Sequence, residues 1–159
     1  TITAKGYDDV EFLISTNPGE SLKPLSQVAS GGELSRIMLA IKTVLAGRDE
    51  IDTLIFDEID TGISGRTAWK VAEQLSVLSG AHQVICITHL PQIAAMADVH
   101  FVIEKSSTDD MTITDIHKVS AEESLAELAR LLGSDALTEA ALSNAKEMKE
   151  QAGMFKETR

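Results

Sequence analysis

Two short apolar runs, Leu54-Ile55-Phe56 and Val84-Ile85-Cys86-Ile87, flank an amphipathic stretch from Arg66 to Leu78. Runs this short and this continuously apolar read as strands of a sheet covered on both faces. Between them, Val71, Leu75 and Leu78 recur at helical spacing and turn inward. Strand, helix and strand in that order form a crossover unit whose strands lie parallel. The fold class is therefore α/β, with a largely parallel central sheet flanked by helices.

The remaining pattern fits around that unit. Val10 to Ser15 alternates loosely and reads as a strand, Asn17 to Glu20 as a turn, and Ser21 to Val28 as loop. Ser30 with Glu33 three residues on reads as a capping box. It opens a helix marked by Ile37, Met38, Ile41, Val44 and Leu45, which Gly47 stops. Thr61 to Gly65 is a turn, and Pro91 sits in the first turn of a new helix. Val99 to Glu104 and Met111 to Val119 form a late hairpin around the polar turn Ser106 to Asp110. Ser120 and Glu123 make a second capping box, opening a helix through Leu132 that Gly133-Ser134-Asp135 breaks. A last helix runs from Ala136 to about Gln151, and residues 153–159 are expected to fray.

The chain has 159 residues, enough for one domain with its own core, and only 4% aromatics, so aliphatic side chains fill that core. The formal charge is −11, which argues against this chain alone presenting a nucleic-acid-binding face. No apolar run is long enough to span a bilayer. The single Cys86 suits a reducing cytoplasm and reads as an inert core thiol.

Three places carry chemistry. At Ser30-Gly31-Gly32-Glu33, unpaired backbone N–H groups and the helix dipole favour an anion. The glycines clear its approach, and Ser30 adds a hydroxyl donor; the bland alternative is a plain helix cap. Asp57-Glu58 ends the first buried strand, where open α/β sheets place their ligands. There Asp57 would hold Mg²⁺ and Glu58 would polarise water, with Asp60 a third carboxylate nearby; the alternative is a solvated acidic loop. His89 follows the second strand, where its ring would reach a phosphate, or it is a surface residue. His82, His100 and His117 show no metal-ligand spacing and read as structural or surface residues. No G-x-x-x-x-G-K-[ST] loop occurs, so the chain lacks a phosphate cradle of its own.

The runs Val28-Ala29-Ser30-Gly31-Gly32-Glu33-Leu34-Ser35-Arg36, Phe56-Asp57-Glu58-Ile59-Asp60-Thr61-Gly62-Ile63-Ser64-Gly65 and Ile87-Thr88-His89-Leu90-Pro91-Gln92 occur in that order. Together they resemble the head of ABC ATPases of the SMC-like branch, as signature, Walker B strand and switch histidine. More narrowly they resemble bacterial DNA repair members of that branch, from roughly Gly6 to Ala152. The resemblance implies a fold that is the C-terminal lobe of a split ABC/SMC-type P-loop ATPase head. An N-terminal lobe would carry Walker A, and a coiled coil would lie between the lobes.

It further implies ATP and Mg²⁺ as cofactors, held between two heads of a homodimer. Ser30, Gly31, Gly32 and Glu33 would meet the γ-phosphate of the opposing head. Asp57 would serve Mg²⁺, Glu58 would be the general base, and His89 would sense the γ-phosphate. The implied partners are the Walker A lobe, a second head and, through the full-length protein, DNA; no membrane is expected. The implied activity is ATP hydrolysis in double-strand break repair and recombination, in the bacterial cytoplasm at the nucleoid. This chain alone is expected to be inactive. Many ABC heads have Asp six residues after the catalytic Glu; here that position is Ser64. Gln27 does not correspond to the Mg²⁺-sensing Gln, which belongs to the absent lobe. Two rivals stand: a non-hydrolysing ABC-like regulatory or interaction module, and a free-standing Mg²⁺-dependent hydrolase built on Asp57, Glu58 and Asp60.

Overall fold

The computed structural model describes residues 4, 6–8, 10–15, 19–27, 30–46, 48, 50–108, 111–133 and 137–158. The start of the turn at Asn17, the loop end at Val28 and Ala29, the stop at Gly47, the hairpin tip at Asp109–Asp110, the break at Ser134–Asp135 and the expected helix start at Ala136 lie outside the described residues.

The crossover unit is present. β3 (Thr53–Phe56) and β4 (Gln83–Cys86) lie parallel, in register Thr53↔Gln83 to Phe56↔Cys86. Main-chain bonds from Gln83 N to Asp52 O and from Ile87 N to Phe56 O extend the pair at both ends. α2 (Gly65–Leu78) connects them and buries Ala68, Val71, Ala72, Leu75 and Leu78. Leu54 and Phe56 of β3 pack against that face together with Ile59, Ile93 and Met96. α1 (Gly31–Leu45) contributes Leu39 to the same core.

Among the described residues, one face of the parallel pair is covered. Ile55 is 67% exposed, Ile85 44% and Ile87 49%, while their neighbours Leu54 and Phe56 are buried. The continuous apolar run therefore overstates its own cover. Side chains alternate across a strand, so the second apolar set faces away from α2, and among the described residues it stays open.

Downstream, α3 (Pro91–Met96) starts on Pro91 and is buried along most of its length. β5 (Phe101–Thr108) and β6 (Met111–Lys118) form the antiparallel hairpin. α4 (Ala121–Leu131) and α5 (Glu139–Glu157) close a second cluster from Ala94, Ala95, Leu128, Ala129, Ala145 and Met148. Trp69 touches both clusters. At the N-terminal end, β1 (Leu13–Ile14) pairs antiparallel with β2 (Lys23–Pro24), which the sequence reads as loop. Helix α5 differs from expectation at both ends: it starts at Glu139 behind the N-cap Thr138, and it continues through residues 153–157, because Ala152 is buried and Phe155 packs on the main core. Lys156 also pairs with Asp98 there. Cys86 is an inert thiol: burial, then the charges of Asp60 and Asp57, push it up to about 12.

Candidate functional site at the strand ends

Three segments meet beside the carboxyl ends of β3 and β4. The first is the start of α1. Ser30 is its N-cap, with extended backbone, and its Oγ accepts from Glu33 N at 3.4 Å. That is the forward bond of a capping box, and a long one.

The second segment is the loop after β3. Asp57 Oδ1 accepts from Glu58 N at 2.9 Å. Glu58 stands at φ 58°, in the left-handed region that a non-glycine residue enters only at a cost of about 1 kcal/mol or more. That turn directs its carboxylate at the start of α1: a Cβ placed on Gly31 would run into Glu58 Oε2. A Cβ on Gly32 would stand 2.7 Å from Glu58 O and 3.0 Å from Thr61 Cβ. Gly32 is therefore required by the close approach of this loop, apart from any ligand, while at Gly31 only the movable end of the Glu58 side chain stands in the way.

The third segment follows β4. Asp60 is buried at 4% exposure, and its Oδ2 accepts from Thr88 Oγ1 at 2.6 Å and from His89 N at 2.8 Å. The ring Nδ1 of His89 lies 2.9 Å from the same oxygen, while the His89 side chain is 73% exposed.

Two side chains of α1 fasten the loop from the other side. Ser35 Oγ donates to Asp57 O at 2.9 Å. Arg36 Nη1 donates to Ile59 O at 3.0 Å and Thr61 O at 2.9 Å. The bonding roles of Ser35 and Arg36 escape sequence reasoning. The only trace is a polar pair ahead of the apolar Ile37, Met38 and Leu39, and the targets are backbone carbonyls.

The structure thus places Ser30, Gly31, Gly32, Asp57, Glu58 and His89 at one end of the fold. It does not gather Asp57, Glu58 and Asp60 into one metal-binding set. Asp60 turns inward, and among the described residues no group of three or more His, Cys, Asp or Glu is placed to hold a metal. Asp57 offers a hard carboxylate oxygen, the donor type that Mg²⁺ takes. The other histidines are structural or surface residues. His82 Nδ1 bonds Ile51 O, His100 Nδ1 bonds Ser124 Oγ, and His117 Nδ1 meets Asp115 Oδ2.

No protein-family model matches the chain. Over 157 residues, 99% of its length, it is 49% identical to the DNA repair protein RecN of Bacillus subtilis (strain 168), of which it covers 27%. It is 54% identical over 143 residues to the DNA repair protein RecN of Treponema pallidum (strain Nichols), covering 90% of the chain and 25% of that protein. The chain thus spans about a quarter of the length of the curated relatives it matches. A solved structure from "Structural biochemistry of ATP-driven dimerization and DNA stimulated activation of SMC ATPases" superposes with a TM-score of 0.49 at 24% identity, over 78% of this chain and 81% of that one.

Proposed function

Because this chain belongs, over the segment it spans, to the RecN family of DNA repair proteins, we propose that it is the C-terminal lobe of an ATPase head. In the whole protein, ATP-driven pairing of two heads would serve double-strand break repair and recombination. The observation that carries this reading is the bonding of three separate segments into one exposed end: α1 to the Asp57–Thr61 loop, and that loop to His89.

Each residue then has a task. Glu58 accepts a proton from the attacking water, and the left-handed turn that aims it is held by Asp57. His89 meets the γ-phosphate bound by its own head. Ser30, Gly31 and Gly32, with Glu33 capping the same turn, present N–H groups and a hydroxyl to the γ-phosphate held by the opposing head. Asp57 would hold Mg²⁺, which when bound neutralises phosphate charge.

The bare face of Ile55, Ile85 and Ile87 supports docking of the absent Walker A lobe. The net charge of −11 argues against DNA contact through this chain, so DNA would meet other parts of the protein. Among the described residues no helix is long and apolar enough to cross a membrane. Against a non-hydrolysing module stands the placement of Glu58 at a conformational cost, which a purely structural loop has no need to bear.

The test is a pair of variants of the full-length protein. Glu58→Gln is expected to abolish ATP turnover while ATP binding persists; Asp57→Ala is expected to weaken Mg²⁺-ATP binding itself. Equal loss of binding in both removes the separate roles. This chain alone is expected to turn over no more ATP than its Glu58→Ala variant.

A further inference from the structure

Asp60 has no part in the chemistry proposed above, yet three donors converge on one of its oxygens. They are Thr88 Oγ1 at 2.6 Å, His89 N at 2.8 Å and His89 Nδ1 at 2.9 Å. A buried carboxylate is costly unless well satisfied. Asp60 is 4% exposed, and the side chain it steadies is 73% exposed. A carboxylate serving only the core would bond core groups. This one directs its bonds to a turn whose side chain stands in solvent. With Nδ1–H held by Asp60, Nε2 is the ring atom left for a ligand. It stands after β4, beside the end of β3 that delivers Asp57 and Glu58.

The carbonyls on either side of Asp60, those of Ile59 and Thr61, both accept from Arg36 Nη1. Arg36 belongs to α1, the helix that starts at Ser30. Signature helix, loop and switch histidine are thereby linked in one chain of bonds.

Resting on the ATPase reading, we propose that Asp60 is a positioning residue that fixes the ring of His89, and that Arg36 carries the placement of α1 to that ring through the carbonyls flanking Asp60. Each head would then tie the helix that meets its partner's nucleotide to the histidine that meets its own.

The test is a double-mutant cycle on ATP turnover by the full-length protein. Asn at position 60 keeps an oxygen for Thr88 and for His89 N but removes the charge facing the ring. Asp60→Asn is expected to lower turnover about 10-fold, with ATP affinity within about 2-fold of the parent. His89→Ala lowers it further, and the Asp60→Asn/His89→Ala double variant matches His89→Ala within about 2-fold. Arg36→Met is expected to behave as Asp60→Asn does in the same cycle. Losses that multiply mean that Asp60 and Arg36 act as general scaffolding, and they overturn the proposal. A fully active His89→Ala removes the histidine's assigned role and the proposal with it, leaving Glu58 and Ser30 unaffected. If Asp60→Asn fails to fold, Thr88→Val replaces it, removing one donor to Asp60. Multiplying losses overturn the proposal there too.

Discussion

Two helices begin with the same pattern, Ser30-Gly31-Gly32-Glu33 and Ser120-Ala121-Glu122-Glu123, and the two starts do different things. At α4 both bonds of the capping box close: Glu123 N donates to Ser120 Oγ at 3.2 Å, and Ser120 N to Glu123 Oε2 at 2.7 Å. At α1 the helix start carries the forward bond, at 3.4 Å. In place of Ala and Glu after the cap there are two glycines, pressed against the Glu58 loop. The α4 start is satisfied by its own residues. The α1 start is left open on one side and fitted to a loop on the other. Four letters of sequence do not separate a self-contained cap from a helix start fitted to a neighbouring loop; what stands opposite the second and third letters does.

The largest contrast should appear in function. In the full-length protein, Ser30→Arg is expected to leave nucleotide binding by a single head near normal. It should block ATP-dependent head pairing and lower turnover by about 10²-fold or more, as loss of oxyanion-type donors does. Ser120→Arg should leave turnover within about 2-fold, since α4 loses only a cap. Gel filtration with ATP and steady-state turnover read both. Equal losses at the two serines would erase the distinction drawn between the helices.

Next in size is Gly32→Ala. In an open helix, exchanging Gly for Ala gains up to about 1 kcal/mol. Here the new methyl meets the Glu58 carbonyl and Thr61 Cβ, so the loop must move. The expected outcome is a loss of about 1–3 kcal/mol, read by denaturant unfolding. Gly31→Ala meets only the far end of the Glu58 side chain, which can swing away. It should cost far less stability while displacing the carboxylate. A stabilised Gly32→Ala would show that the loop does not hold its place against α1.

Much of this was legible in the sequence, for identifiable reasons. β3, α2 and β4 follow from apolar period and length, and the α4 box from its own two residues. The ends of α5 were not legible, because Met148, Ala152 and Phe155 are sparse marks of a buried stripe in a polar helix. The open side of Ile55 and Ile85 was hidden, since a continuous apolar run reads the same whatever segment covers its second face. At the candidate site, the positions of Ser30, Glu58 and His89 could be read from the motifs. The left-handed turn at Glu58 could not, because nothing about Glu favours it. The inward turn of Asp60 was missed because its partners, Thr88 and His89, come from a later strand end.

A smaller effect separates the two caps themselves. Ser120→Ala removes the hydroxyl half of a closed box and should cost about 1 kcal/mol. Ser30→Ala removes a bond of 3.4 Å and should cost a few tenths, roughly the value of a weak cap. Thermal midpoints of the two variants, measured side by side, give the order. A larger loss at Ser30 would mean that α1 depends on its cap as α4 does.

The smallest effect is a matter of pH. The carboxyl of Glu123 is held below its ordinary range, first by the backbone N–H of Ser120, then by the Ser120 hydroxyl, with His117 adding charge. A carboxyl depressed on folding binds fewer protons in the folded state than in the unfolded one, so stability rises with pH across that interval. Its contribution is whole above the unfolded value of about 4.3 and is lost as pH falls through the folded one. Glu123→Gln lacks this titration. The stability gap between the parent and Glu123→Gln should be constant near neutrality and should close below about pH 4.3. Because Glu123 is exposed, the gap is small, and it is best read as a difference in denaturation midpoint across a pH series. A gap that shows no narrowing as pH falls below about 4.3 would mean that the return bond from Ser120 contributes through shape alone. The closed box at α4 would then owe nothing to charge, and its contrast with α1 would reduce to the two glycines.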